Sequence, residues 1–153
     1  MNRNLLHSDP QIATRQRWMG VLARAGSGLM TYEAALKEAE YSLIRAPEIG
    51  MTLVRGRMGG TGSPFNLGEM SVTRCVVRLI DGSTGYSYVA GRDKQHAELA
   101  ALADAHLQGP EQQHWLSLMI EPLAADQQRQ QAAKAAETAT TQVEFFTLVR
   151  GED

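Results

Sequence analysis

The spacing of apolar and polar residues predicts helices in the first quarter of the chain. Residues 8–10 read Ser-Asp-Pro, in which the serine or the aspartate can cap a helix and the proline fits its first turn. Apolar positions between Ile12 and Ala25 then recur at the spacing of one helical face. A second helix, over residues 31–40, is so short that it needs packing against neighbours.

The middle of the chain changes to the two-residue period of β-strands. Strands are expected over residues 41–48 and 50–58, with Pro47 and Gly50 supplying the bend between them. After a glycine-rich loop, the residues that follow alternate strictly between two faces. One face holds Thr73, Cys75, Val77 and Leu79, and the other holds Arg74, Val76 and Arg78. Successive short strands of this kind are typical of an antiparallel meander.

A hairpin turn and two further helices are expected after this strand. The turn at residues 81–85 returns the chain as a partner strand over residues 85–91. Asp93 can then cap a helix that Gly109-Pro110 ends. A second helix is expected around Trp115.

The end of the chain is expected to contain a helix and a strand. Residues 127–142 are rich in Ala and Gln, so they form a helical segment that needs a neighbour or else stays mobile. Residues 143–151, which contain two adjacent phenylalanines, read as a closing strand. The prediction is an α+β fold in one domain, residues 1–153, with a mostly antiparallel sheet of four to five strands and helices packed against it. Residues 1–13 are expected to be loosely ordered.

The composition is that of a soluble globular protein. The chain has 153 residues, of which 43% are hydrophobic and 21% are charged, and its formal net charge is −2. Neither a membrane span nor a secretion signal is recognisable, so a cytoplasmic protein is expected. The single cysteine, Cys75, cannot form an internal disulfide or a thiolate metal site by itself.

Positive charge is concentrated in the middle third. Between Arg45 and Lys94, seven basic residues outnumber four acidic ones, whereas residues 95–153 carry three basic and nine acidic residues. A basic, glycine-rich centre in an acidic protein suits a small anionic ligand better than a long nucleic acid. Scattered arginines at strand edges in water are the alternative interpretation.

The glycine-rich loop is the first candidate for anion binding. Residues 57–68 read RMGGTGSPFNLG, and glycines allow backbone N–H groups to approach a phosphate closely. The loop fits neither a Walker A motif nor the dinucleotide-binding pattern. A simple strand connection is therefore the competing interpretation. The candidate residues are Arg57, Gly59, Gly60, Thr61 and Gly62.

The second candidate is the start of the helix that follows Gly91. Cations gather at a helix N-terminus, whose free N–H groups favour anions. The alternative is a plainly capped helix, with Lys94 in solvent and His96 packed. The candidate residues are Arg92, Asp93, Lys94, Gln95 and His96, together with Arg74 on the polar face of its strand.

Catalytic and metal-binding signatures are missing from the sequence. The four histidines lack metal-ligand spacing, and no Ser-His-Asp signature is present. Cys75 lies among apolar residues and is expected to be an inert core thiol. We therefore expect no catalytic residue and no metal, and we interpret the chain as a binding protein that depends on partners.

Several segments resemble the PhnG family, which belongs to the bacterial carbon–phosphorus lyase system. They are TRQRWMGVLARA, RAPEIGMTLVRGRMGGTGSPFNLGE, VTRCVVRL, TGYSYVAGRDKQHAELAAL, EPLAAD and FFTLVRG, which span most of residues 14–150. The combination of RMGGTG with GRDKQHAE is the most specific part. Residues 1–13 and 127–142 carry little of the likeness.

The resemblance implies a place in phosphonate catabolism. Family members act with the proteins PhnH, PhnI and PhnJ in a core complex, with which PhnL or PhnK associates. In the first step methylphosphonate displaces adenine from ATP, giving ribose 1-methylphosphonate 5-triphosphate. The chemistry is usually credited to PhnI, so the resemblance implies no cofactor of this chain's own and ATP only as a substrate of the complex.

Three functions remain open at this point. The chain is a subunit that contacts phosphate groups in the synthase, a purely structural scaffold of the same complex, or a free-standing nucleotide-binding enzyme. The candidate residues serve either phosphate binding or docking of a partner protein. No contact with nucleic acid or with a membrane is expected.

Overall fold

The computed structural model describes residues 9–57 and 64–150, and the side chains of all of these except 57, 64–67 and 143–150. The elements follow one another as helices, then strands, then helices. They are α1 (Pro10–Arg24), a 3-10 helix (Gly26–Tyr32), α2 (Glu33–Leu36), β1 (Tyr41–Arg57), β2 (Pro64–Leu79), β3 (Thr84–Ala90), α3 (Lys94–Leu107), α4 (Gln112–Trp115), a π-helical turn (Leu116–Ile120) and α5 (Glu121–Arg150).

The first helix begins as the sequence predicts. The Asp9 side chain caps α1 by accepting a hydrogen bond from the N–H of Gln11, and Pro10 occupies the first turn.

The second predicted helix differs in its bounds. Residues 26–32 form a 3-10 helix, and only Glu33–Leu36 are α-helical.

The three strands form one antiparallel sheet in the order β1-β2-β3. The α+β class is confirmed, but in the described part of the chain the sheet has three strands rather than four to five. One reason is that the two strands expected over 41–48 and 50–58 are a single strand, β1. Its pairing with β2 shifts register around Arg45 and Glu48. Pro47 is thus accommodated at an irregularity of an edge strand instead of ending it.

The second reason lies at the C-terminal end of the described chain. The sequence predicts a strand that starts at residue 143, but residues 143–150 continue the helix α5. This prediction is wrong because helix propagation costs little once a nucleus exists. The Ala-rich run of residues 127–142 therefore carries the helix into the β-branched and aromatic residues that follow.

The sheet has one covered face and one open face. Thr73, Cys75, Val77 and Leu79 are buried, as their alternation predicts, and α3 packs over them. Strand β3 comes so close to this helix that Gly85 has no room for a side chain. A Cβ there would clash with the carbonyl oxygen of Ala101 and lie 2.6 Å from the nitrogen of Ala105.

One buried carboxylate ties α1, α3 and β3 together. Asp104, on α3, is fully buried and accepts hydrogen bonds from Arg15 at 2.9 Å, from the Trp18 indole at 2.8 Å and from the backbone N–H of Tyr86 at 3.0 Å. Gln108, one turn further on, donates to the same carboxylate and to the carbonyl of Thr84. Both side chains satisfy backbone groups at the outer edge of β3, so the Tyr86 N–H and the Thr84 carbonyl are not available to a further strand.

Two elements extend beyond this core. Strand β3 pairs with β2 only from Val72 to Arg78, so β1 and β2 continue as a two-stranded ribbon towards Arg57 and Pro64. Helix α5 is about 45 Å long at 1.5 Å per residue, and its residues 128–142 are exposed on every side. In the described part of the chain, no helix is long and apolar enough to cross a membrane.

The contact between β3 and α3 gives a first test. Replacing Gly85 with Ala should lower the stability by about 3 kcal/mol, because backbone atoms of α3 must move away from the added methyl group. Thermal denaturation should show a fall in Tm of roughly 10 °C. As a matched control, Gly50→Ala adds the same methyl group in open space and should leave Tm nearly unchanged. Equal effects of the two substitutions would contradict the close contact.

The Asp104 carboxylate gives a second test. Asp104→Ala should cost about 3 kcal/mol, because the Trp18 indole and the Tyr86 N–H lose their buried acceptor. Chemical denaturation of this variant can be compared with that of Asp126→Ala, which removes an exposed carboxylate from the ion pair with Arg129. The control should change the free energy of unfolding by less than about 0.5 kcal/mol. A small effect of Asp104→Ala would show that this carboxylate is not an anchor.

Candidate functional site

The glycine-rich loop lies largely outside the described residues. This applies to Gly59, Gly60, Thr61 and Gly62, and to the side chain of Arg57. The backbone of Arg57 is described, and it pairs with Pro64 at the far end of the ribbon. Phosphate binding or partner docking by this loop therefore stays a prediction.

The second candidate cluster surrounds the start of α3. Arg92, Lys94 and Gln95 are exposed, and the Gln95 amide lies 3.3 Å from the Glu33 carboxylate. His96 points inward and is 5% exposed, with its Nε2 atom 2.8 Å from the carbonyl oxygen of Leu22. The imidazole therefore donates to the α1 backbone and belongs to the packing of the core.

Asp93 occupies the position at which an anion would meet this helix. Its carboxylate caps α3 by accepting a hydrogen bond from the N–H of His96 at 3.0 Å, as the sequence predicts. A phosphate placed on the helix axis would be repelled by this charge. Any phosphate contact here must therefore come from the side chains of Arg92 and Lys94, displaced from the axis.

The far end of the ribbon lies well away from the start of α3. The N–H of Gly91 donates to the carbonyl of Ser71, which places the start of α3 beside that part of β2. Arg57, on β1, pairs with Pro64, which lies seven residues from Ser71 along β2. At about 3.3 Å per residue, the separation between these backbone positions is roughly 23 Å.

Arg74 lies on the open face of the sheet, away from both clusters. Register pairs it with Glu48 on one side and with Tyr88 on the other. The Arg74 and Glu48 side chains are 3.9 Å apart, which is a weak, exposed ion pair. Arg74 is thus available to another molecule while it remains attached to a rigid strand.

The open face brings together two tyrosines and three arginines. Val76 is at its centre, with Arg45 opposite on β1 and Tyr86 opposite on β3. The surrounding surface is a shallow concavity of about 620 Å³, whose other side chains include Met19 and Ile44. We define the open face by the exposed side chains of Ile44, Arg45, Arg74, Arg78, Tyr86 and Tyr88 together with the half-buried side chain of Val76.

The Asp104 anchor also positions one tyrosine of this face. The guanidinium carbon of Arg15 lies 5.8 Å from the centroid of the Tyr86 ring, within the range of a cation–π contact. Arg15 is held there by Asp104, whose hydrogen bond raises the pKa of the guanidinium above its ordinary value. The ring of Tyr86 is therefore supported from α1 while about half of the residue remains exposed.

Neither the tyrosines nor Arg45 was predicted from the sequence to be a site residue. A signal was present, because Tyr86 and Tyr88 are two residues apart in a strand whose alternate positions are Gly85, Ser87 and Val89. This spacing places both rings on the face opposite the buried one. What the sequence did not reveal is that none of the described helices covers that face.

Reactive groups do not assemble into a catalytic site in the part of the chain that the structure describes. Burial raises the pKa of the Cys75 thiol to about 11, which makes it a poor nucleophile. Nε2 of His106 lies 3.0 Å from the carbonyl oxygen of Leu36, so it is engaged in packing, like His96. Among the described side chains, no three His, Cys, Asp or Glu residues lie close enough to hold a metal ion.

Comparison with known proteins gives two matches over nearly the full chain. Residues 13–151 match the family model described as phosphonate metabolism protein PhnG. The alpha-D-ribose 1-methylphosphonate 5-triphosphate synthase subunit PhnG of Rhizobium meliloti (strain 1021) is 42% identical over 147 residues. That alignment covers 95% of this chain and 94% of the relative.

Proposed function

This chain belongs to the PhnG family of phosphonate metabolism proteins, and we propose that it is a non-autonomous subunit of a ribose 1-methylphosphonate 5-triphosphate synthase. The observation that carries the proposal is its 42% identity to a subunit of that synthase over 95% of the chain. The non-autonomous part is supported by the state of the reactive side chains, because the Cys75 thiol is buried with a raised pKa and the imidazoles of His96 and His106 contact backbone carbonyls.

The reaction we propose for the assembled complex transfers the ribose 5-triphosphate of ATP to an alkylphosphonate. A phosphonate oxygen attacks C1 of the ribose, the bond from C1 to adenine breaks, and adenine leaves with the electron pair of that bond. Such a step needs a positioned phosphonate oxygen, stabilisation of a cationic sugar and neutralisation of the triphosphate charge. We assign to this chain only the positioning of the phosphonate oxygen and the neutralisation of the triphosphate charge, because neither task requires a nucleophile.

Two clusters of this chain suit that role. Arg57 and the amides of residues 59–62 form one, and the exposed cations Arg92 and Lys94 form the other. The backbone of Arg57 lies roughly 23 Å along the ribbon from the start of α3, and we assign each cluster to a different group in the assembly. One contacts the anionic substrates, and the other contacts either a second anionic group or a partner protein.

The partners in this proposal are PhnH, PhnI and PhnJ, with PhnL or PhnK associating. ATP and the alkylphosphonate are substrates of the whole assembly, and this chain needs no cofactor of its own. We place the complex in the cytoplasm, where ATP is available. Nucleic acid and membrane have no part in the proposed reaction.

Substitution of the two cationic clusters in the assembled synthase tests the proposal. The two variants are Arg57→Ala and the double change Arg92→Ala with Lys94→Ala, and at least one of them should leave assembly intact, as checked by size-exclusion chromatography. At least one of these variants should lower kcat/KM for ATP by about tenfold or more, because charged hydrogen bonds to phosphate are lost. Arg129→Ala, which removes an exposed arginine from α5, is the matched control and should have no effect on activity.

Two other outcomes would decide against the proposed role. If the variants fail to assemble but are otherwise folded, the clusters dock partner proteins and the chain is a scaffold. If the variants assemble and keep full activity, neither cluster contacts a substrate. Release of adenine should be measured in each case, because it reports the first bond broken and does not depend on later steps.

A further inference from the structure

Within residues 9–57 and 64–150, the open face of the sheet lacks the cover that α3 gives to the opposite face. On the covered face Cys75 and Val77 are 0% exposed, whereas on the open face Ile44, Tyr86 and Tyr88 are 51%, 49% and 53% exposed. Large apolar side chains concentrated in one patch are uncommon on the surface of a protein that functions alone. The contrast between the two faces therefore indicates that another molecule covers the open one.

The residue types of this face are those of protein interfaces. Tyrosine and arginine are enriched in such interfaces, and lysine and glutamate are depleted. The open face as defined above contains two tyrosines, three arginines and two aliphatic residues, and it contains no lysine. Its aromatic rings stand on paired strands, so little conformational entropy is lost when they are buried.

The shape of the face suits a protein better than a small ligand. Small-molecule sites are concave and bury most of the ligand surface. Here the floor is a three-stranded sheet, and its concavity is bounded by single side chains such as Met19 and Ile44. A nucleotide lying on this floor would leave one side in water. A complementary protein surface would cover the whole patch.

Charge decides what kind of protein surface fits. Arg45, Arg74 and Arg78 are exposed on or beside the patch, and Glu48 is the one acidic side chain that pairs with them in the described chain. Two copies meeting symmetrically through this face would place arginines against arginines, because such a contact pairs a patch with itself. The excess of positive charge therefore disfavours a second copy of this chain and favours a surface that carries carboxylates.

We propose that the open face is the docking surface for an acidic, apolar surface of a different subunit of the synthase. This inference rests on the proposed membership of that complex. Tyr86 and Tyr88 are the apolar anchors, and Arg45, Arg74 and Arg78 pair with carboxylates of the partner around them. Arg15, fixed by Asp104, keeps the Tyr86 ring in place before the partner arrives.

The test measures assembly of purified subunits with two independent variants of this chain. Tyr86→Ala with Tyr88→Ala removes the anchors, and Arg45→Glu with Arg74→Glu reverses the charge of the patch. Each should weaken association with one other subunit by about a hundredfold or more, since buried aromatic and charged anchors dominate interface affinity. Thermal denaturation of the isolated chain checks folding, and the charge-reversal variant removes no buried side chain.

Matched controls are available on other surfaces of the same chain. Ile80→Ala removes an apolar side chain that is 82% exposed at the hairpin turn, and Arg129→Glu reverses a charge on α5. Both should leave the affinity within about twofold of the original. The association of the unaltered chain should also weaken as salt is raised, because exposed charge pairs are screened.

A photo-crosslinking residue placed at position 88 identifies the occupant directly. The expected product joins this chain to a different subunit of the purified synthase. A product that joins two copies of this chain would overturn the inference. Normal assembly of either open-face variant would also overturn the inference. If such a variant assembles but loses activity, the face binds a small ligand instead of a subunit. If adenine release by the synthase does not require this chain at all, the proposed function fails, whatever the open face binds.

Discussion

The buried carboxylate of Asp104 is the interaction on which the arrangement of the molecule depends. It joins α1 to α3 through Arg15 and Trp18, and it satisfies the Tyr86 N–H at the outer edge of β3. A charge can remain fully buried only when it is surrounded by donors, as this one is. By tying α1 and α3 to β3, Asp104 helps to hold the helices in place, and the opposite face of the sheet remains for other molecules.

Those remaining surfaces are distributed widely for a chain of this size. The open face lies opposite the buried core, the β1–β2 ribbon extends beyond it, and α5 carries fifteen or so exposed residues in its middle. The backbone of Arg57 lies at the far end of that ribbon, roughly 23 Å from the start of α3. A protein built in this way offers several separate contact surfaces, which suits a subunit better than an enzyme with one enclosed pocket.

The sequence predicted the parts of the fold that local chemistry controls. The alternation around Cys75, the hairpin after Leu79 and the Asp93 cap are all confirmed, since period, turn residues and capping groups act over a few neighbouring residues. The sequence did not predict that α5 continues through residues 143–150, because the helix that precedes them overrides their strand propensity. It also did not predict that β1 is continuous, because pairing with β2 overrides the tendency of Pro47 to end a strand. The open face was missed for a different reason, because whether a face is covered depends on tertiary packing.

In the proposed synthase, this chain provides binding surfaces to a reaction whose chemistry requires other subunits. The most direct measurement is calorimetric titration of the isolated, purified chain with ATP, together with an assay for adenine release when an alkylphosphonate is added. We expect no adenine release and ATP binding no tighter than about millimolar. Adenine release by the chain alone, or binding of ATP at micromolar concentrations, would contradict the proposal.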